Sequence, residues 1–183
     1  MEINQNNIIC MGYKIFVVGV LSTLVSLSCQ QKNKQLVHNV RFEDRIYDSI
    51  NLLSVVEKQN LFNTIEVLEN KIGSQIAIVI IDTLKGKKLE KVSIETFERL
   101  ALGRKNFKDG ILIIVVNKEH KIRIEVGYGL EKIIKDETAS HIIREDMVPK
   151  FSEQKYYEGF KLAVDRITEL IEANKKLVGQ MPS

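Results

Sequence analysis

"ILIIVVNKEHKIRIEV", residues 111 to 126, is the stretch that decides the fold. Its first six residues are all β-branched or leucine and apolar at every position, so both faces of the strand they predict must be covered. After the short polar connection "NKEHK", Ile122, Ile124 and Val126 alternate with Arg123 and Glu125, which predicts a second strand that is more exposed on one face. A connection this short joins neighbours as an antiparallel hairpin.

Upstream, "QIAIVII" (75–81) has the same doubly apolar character. It follows a helix predicted from Ser54 and Glu57 at capping-box spacing, from Leu61, Ile65, Leu68 and Ile72 at intervals of four, three and four, and from Gly73 as its stop. Between the two apolar strands, Ser93 is the expected cap of a second helix through Leu102, with Phe97, Leu100 and Ala101 inward and Gly103 at its end. Downstream, Asp136 is the expected cap of a third helix, through Ile142, Ile143 and Met147 and ending before Pro149. A fourth repeats Tyr157, Phe160, Val164, Ile167 and Ile171. The expected order is α-β-α-β-β-α-α. Two strands covered on both faces need helices on both sides, so the fold class is α/β, a three-layer α/β/α sandwich whose mixed sheet combines a right-handed parallel crossover with the antiparallel hairpin.

The 183 residues suffice for one domain with a core and leave little for a second. With two prolines, ten glycines and 44% hydrophobic residues, the composition is that of a folded chain. A net charge of +3, with no basic run interleaved with aromatics, gives no reason to expect a nucleic-acid partner.

The N-terminus is expected to be an address. Lys14 precedes fourteen mostly apolar residues from Ile15 to Ser28, too few for a stable membrane span, and then comes Cys29. Residues 1–28 therefore read as a signal peptide of lipoprotein type, with Cys29 as the lipid-attachment residue; Met11 is an alternative start. Ser26 departs from the Leu or Val preferred three residues before such a cysteine. Removing 1–28 takes away Lys14, Glu2 and Cys10, so the charge is unchanged and one cysteine remains. Residues 29–45 would be a polar tether, 46–173 the domain and 174–183 a C-terminal tail.

Because the hairpin strands run in opposite directions, Gly127-Tyr128-Gly129 leaves the sheet at the end where "KDG" (108–110) begins the preceding strand. Asp109 and Asp136 are thus expected at one end, which the glycines would keep open. Asp48 lies in "IYDSINLL" (46–53), whose eight residues could extend about 26 Å, so that spacing does not fix which end it reaches. Each of the three carboxylates also has a plain structural role available, as turn-former or cap. Should they converge, they would suit Ca²⁺ or Mg²⁺. His38, His120 and His141 lack zinc-ligand spacing, and no serine occupies a nucleophile elbow. Lys85, Lys87, Lys88 and the charges of "GRKNFK" could draw phosphate or lipid headgroups.

"IYDSINLLS", "IGSQIAIVIID", "LALGRKNFKDGILIIV", "IRIEVGYGLE", Asp136 and the "MVPKF…YYEGF" ending together resemble the TPM domain, from about Ile46 to Ile171. That family includes a thylakoid photosystem-repair protein and many bacterial envelope proteins. The resemblance implies an α/β/α fold, an acidic groove, divalent-cation binding in some members and phosphatase activity in some. It carries the family's acidic positions onto Asp48, Asp109 and Asp136 as metal candidates, and its groove backbone onto Gly110, Gly127, Tyr128 and Gly129. The aromatic often found before the Leu-Gly of the second helix is absent from "ALGRK", and so is the glycine-rich tail or second membrane segment of many bacterial members. The expected function is an exported, lipid-anchored binding or accessory module at the bacterial cell envelope, with a cation or an envelope protein as partner. The alternative is a metal-assisted phosphatase acting on phosphomonoesters.

Overall fold

A computed structural model describes residues 45–180; Cys29, the expected signal peptide and nearly all of the expected tether lie outside the described residues. Four strands form one mixed sheet in the order β1 (Ile46–Asp48), β2 (Gln75–Ile81), β3 (Gly110–Val116), β4 (Lys121–Val126). β1 and β3 flank β2 in parallel, and β4 runs antiparallel to β3, with Ile113 facing Ile124. β1 is a strand where the sequence suggested only an extended lead-in. Three residues are too few to show a period of two, and their pairing comes from β2.

The helices are α1 (Val55–Ile72), α2 (Leu89–Leu100), α3 (Asp136–His141), α4 (Val148–Ser152) and α5 (Tyr156–Ala173), with a π-helical turn, Ile142–Met147, linking α3 to α4. Ser54 and Glu57 form the capping box of α1, and Gly73 closes it at φ 94°, a conformation costly for any residue with a Cβ. α2 begins earlier than expected, with Lys88 at the cap position. Ser93 is a buried residue inside the helix, and its hydroxyl donates to the Glu125 carboxylate at 2.5 Å. The helix ends at Leu100, and Ala101 takes up the left-handed conformation at φ 48°. Nor does the chain stop being helical before Pro149. The wider π turn shifts the hydrogen-bond frame, and proline enters in the first turn of α4, where its missing N–H costs little.

Alternation divides the sheet's side chains between two cores. Ile76, Ile78 and Ile80 of β2 and Ile111, Ile113 and Val115 of β3 pack with Leu61, Ile65 and Leu68 of α1 and with Phe160, Val164 and Ile167 of α5. On the opposite face, Ala77, Val79, Leu112, Ile114 and Val116 are covered by Leu89 and the half-buried Val92, Phe97 and Leu100 of α2. Helices thus cover both faces, one heavily and one with a single helix. This is the α/β/α sandwich.

Candidate functional site

The Gly-Tyr-Gly turn is clamped at three points. Gly127 donates its N–H to the Gly110 carbonyl at 2.8 Å, Gly129 donates to the Lys108 carbonyl at 3.0 Å, and Gly179 donates to the Gly129 carbonyl at 2.9 Å. Neither turn glycine needs a left-handed backbone; what each needs is room. A Cβ on Gly129 would lie 1.7 Å from the Phe107 carbonyl oxygen, and one on Gly127 would lie 2.3 Å from that of Lys108. Gly110 is equally confined, by the backbone of Leu102 and Gly103. The glycines therefore close this end of the sheet instead of holding it open, because they let two backbones approach within hydrogen-bond distance. Between them Tyr128 is held out, 66% exposed, while the following Leu130 is fully buried and fixes the turn from below.

The three expected carboxylates do not come together. Asp109 is completely buried at the start of β3. It accepts from the Arg104 backbone N–H at 2.8 Å, from Arg104 Nε at 2.9 Å and Nη2 at 2.5 Å, and from the Ser74 hydroxyl at 3.2 Å. Arg104 in turn lies over the Phe107 ring, 3.8 Å from its centre. The basic run that could have drawn an anion thus spends its arginine on folding the 104–109 loop around an internal carboxylate.

Asp48 sits at the other end of the sheet, because β1 runs parallel to β3 and Asp48 is the last residue of β1 whereas Asp109 precedes β3. Its side chain, fully enclosed, accepts from the N–H groups of Ile50 (3.3 Å), Leu52 (3.1 Å) and Leu53 (3.0 Å) and pairs with Lys58 Nζ at 3.1 Å. Burial pushes this carboxyl's pKa up, but the Leu53 and Leu52 N–H groups and the Lys58 ammonium together outweigh it and hold the pKa below the usual value. It shapes the turn into α1.

Asp136 lies on the surface beside the open edge of β4, near enough to Arg123 for their charges to interact. It is the first residue of α3, with Lys135 in the cap position that the sequence had suggested for Asp136. Among the described residues no three His, Cys, Asp or Glu side chains are grouped so as to hold a metal ion.

Two hollows flank the turn. One of about 500 Å³ lies between α2 and Tyr128, with Ile94, Phe97, Leu102 and Val126 as its apolar lining and Glu98, Glu131 and Lys108 at its margin. Ile94 is 49% exposed there. The other, a channel of about 710 Å³, runs along the open edge of β4 and is bounded by α3 and the segment leading into it, with Glu131, Asp136 and Glu137 among its lining. On the β4 wall of this channel Arg123 pairs with Glu125 on the same strand. Contact with Glu125 holds the guanidinium pKa above its ordinary value, against the opposing effect of burial, and the charges of Glu90 and Asp136 add to it. Sequence reasoning passed over Arg104, Ser93 and Glu125 as site builders, since each acts through a partner 5 to 32 residues away.

The TPM domain family matches residues 46–170. No curated protein matches the chain. Three solved structures are similar: the N-terminal domain of a protein from P. gingivalis (TM-score 0.66, 23% identity, 72% of this chain and 83% of that one), the BA42 protein of the psychrophile Bizionia argentinensis (0.58, 14%, 69% and 83%), and the N-terminal domain of a Corynebacterium glutamicum protein (0.57, 10%, 80% and 88%). At these identities the likeness shows a shared fold. The family match spans more than half of the chain, and the ordered run from "IYDSINLLS" to "YYEGF" falls within it: the chain belongs to the TPM domain family.

Proposed function

We propose that this protein is an exported, lipid-anchored TPM module that binds a protein partner of the cell envelope at the Tyr128 end of its sheet. One observation carries the reading: Tyr128 is exposed on a turn whose backbone is hydrogen-bonded to Gly110 and Lys108, beside a hollow lined by Ile94 and Phe97. An exposed aromatic on a hydrogen-bonded turn makes a good binding anchor, because the backbone that presents it is already in place when a partner covers it. The surrounding Glu98 and Glu131 favour a partner with basic groups at its rim.

No helix among the described residues is long and apolar enough to cross a membrane. In this reading the anchor is Cys29, with two or more acyl chains, since a single chain binds only marginally. Ca²⁺ or Mg²⁺ stays within the reading through Asp136, the one of the three expected carboxylates still facing solvent. The phosphatase alternative loses its geometry, because Asp48 and Asp109 lie at opposite sheet ends and each is engaged in its own ion pair.

Radiolabelled fatty acid should enter the wild type and not Cys29→Ser. A photoreactive residue in place of Tyr128, activated in intact cells, should yield a discrete cross-linked species that the same residue at exposed Val67 on α1 does not give. Equal labelling of wild type and Cys29→Ser would overturn the anchor. Identical cross-linking from both positions would overturn the docking surface.

A further inference from the structure

We infer that β4 is a self-pairing edge, by which two copies of this chain join about a twofold axis at Ile124 into one continuous eight-stranded sheet. The first support is the parity of the open edge. Gly127 and Gly110 form a hydrogen-bonded pair across the β3–β4 ladder, and such pairs recur at every second residue, so Lys121, Arg123 and Glu125 direct their backbone groups toward β3. Ile122, Ile124 and Val126 therefore direct theirs outward. No other strand takes up that edge among the described residues, and β4 pairs with β3 over six consecutive residues without a bulge or a proline. A strand of this kind is a ready template for another.

The second support is the order of the charges. If two β4 strands pair antiparallel with Ile124 opposite Ile124, the outward-facing groups meet: Ile122 lies opposite Val126 at both ends. The same register sets Arg123 of each copy directly opposite Glu125 of the other, on the same face and in the closer, non-hydrogen-bonded kind of pair. Moving the centre by one residue, to Arg123 or Glu125, keeps the backbone parity but sets like charges opposite one another, Arg123 against Arg123 or Glu125 against Glu125. Only the centre at Ile124 satisfies backbone, apolar face and charge together. An interface that places the same surface on both sides of a twofold is isologous, the arrangement of the commonest homodimers.

The full chain in detergent, examined by sedimentation velocity up to about 100 µM, should behave as a dimer. Arg123→Glu alone and Glu125→Arg alone set like charges opposite one another twice per interface, and each should weaken dimerisation about tenfold or more. Mixed in equal amounts, the two variants should regain the dimer as a heterodimer, because every opposition is again between unlike charges. In the wild type, backbone amides of Ile122, Ile124 and Val126 should resist hydrogen exchange in the dimer. A wild type that stays monomeric at these concentrations, a dimer indifferent to both charge reversals, or fast exchange of those three amides alongside slow exchange at Arg123 and Glu125 would each overturn the inference. The exchange measurement needs no variant, so misfolding of a substituted chain cannot obscure the result.

Discussion

Asp48, in β1, and Asp136, beside β4, present the same carboxylate at opposite edges of one sheet and use it in opposite ways. Asp48 is enclosed, accepts from three backbone N–H groups and is paired with Lys58. Asp136 stands exposed at the start of α3, beside the open edge of β4. Asp109, at the sheet end away from Asp48, nevertheless has Asp48's character, since it is fully buried and held by Arg104 and Ser74. Position around the sheet therefore says little about whether an acidic residue is free to bind. What decides is whether the neighbouring loop folds around it, because a buried carboxylate is tolerable only when its oxygens are satisfied.

The strongest way to break this comparison is at Asp109. Asp109→Ala strands the Arg104 guanidinium, the Arg104 backbone N–H and the Ser74 hydroxyl, and should cost about 3–5 kcal/mol in chemical unfolding. A loss below about 1 kcal/mol would class Asp109 with Asp136. Gly129→Ala comes next. Its methyl group would overlap the Phe107 carbonyl, so the turn must shift, at about 3 kcal/mol, and Tyr128 should lose its fixed place with it.

Asp48→Asn should cost about 2 kcal/mol near neutral pH, where the wild-type carboxylate is charged. The folded pKa of Asp48 is lowered, so its contribution is fully present above the unfolded-state value near 4 and is lost as pH falls through the folded value. The variant should accordingly lose less stability than the wild type as the solution is acidified through that range. Parallel acid limbs for the two proteins would contradict the enclosure of Asp48. The smallest effects belong to the exposed residues. Asp136→Asn and Tyr128→Ala should each change stability by no more than about 0.5 kcal/mol. A melting-temperature rise with Ca²⁺ that Asp136→Asn removes and Asp109→Asn leaves intact would sharpen the contrast further.

Several elements were legible because their signals are local. The capping box of α1 needs only Ser54 and Glu57, and the doubly covered strands β2 and β3 announce themselves by unbroken apolar runs. The hairpin followed from a short connection and strict alternation. β1 did not show, since its three residues become a strand only by pairing with β2. The π turn before Pro149 was hidden for a similar reason. A proline in a helical pattern predicts an end, and only a shift in the hydrogen-bond frame shows how the helix passes it.

The candidate site divides along the same line. By itself the sequence determined that Gly127, Tyr128 and Gly129 leave the hairpin at the end where Asp109 and Gly110 begin β3, because antiparallel pairing requires it. It also determined the alternation of Arg123 and Glu125 around Ile124. Only the tertiary structure decided that the glycines are spaces for the backbone carbonyls of Phe107 and Lys108, that Asp109 turns inward to Arg104, and that Asp48 lies at the far end. The physical reason is range. Periodicity and capping act within a few residues, whereas the satisfaction of a buried charge and the approach of two backbones depend on which distant segments the fold brings into contact.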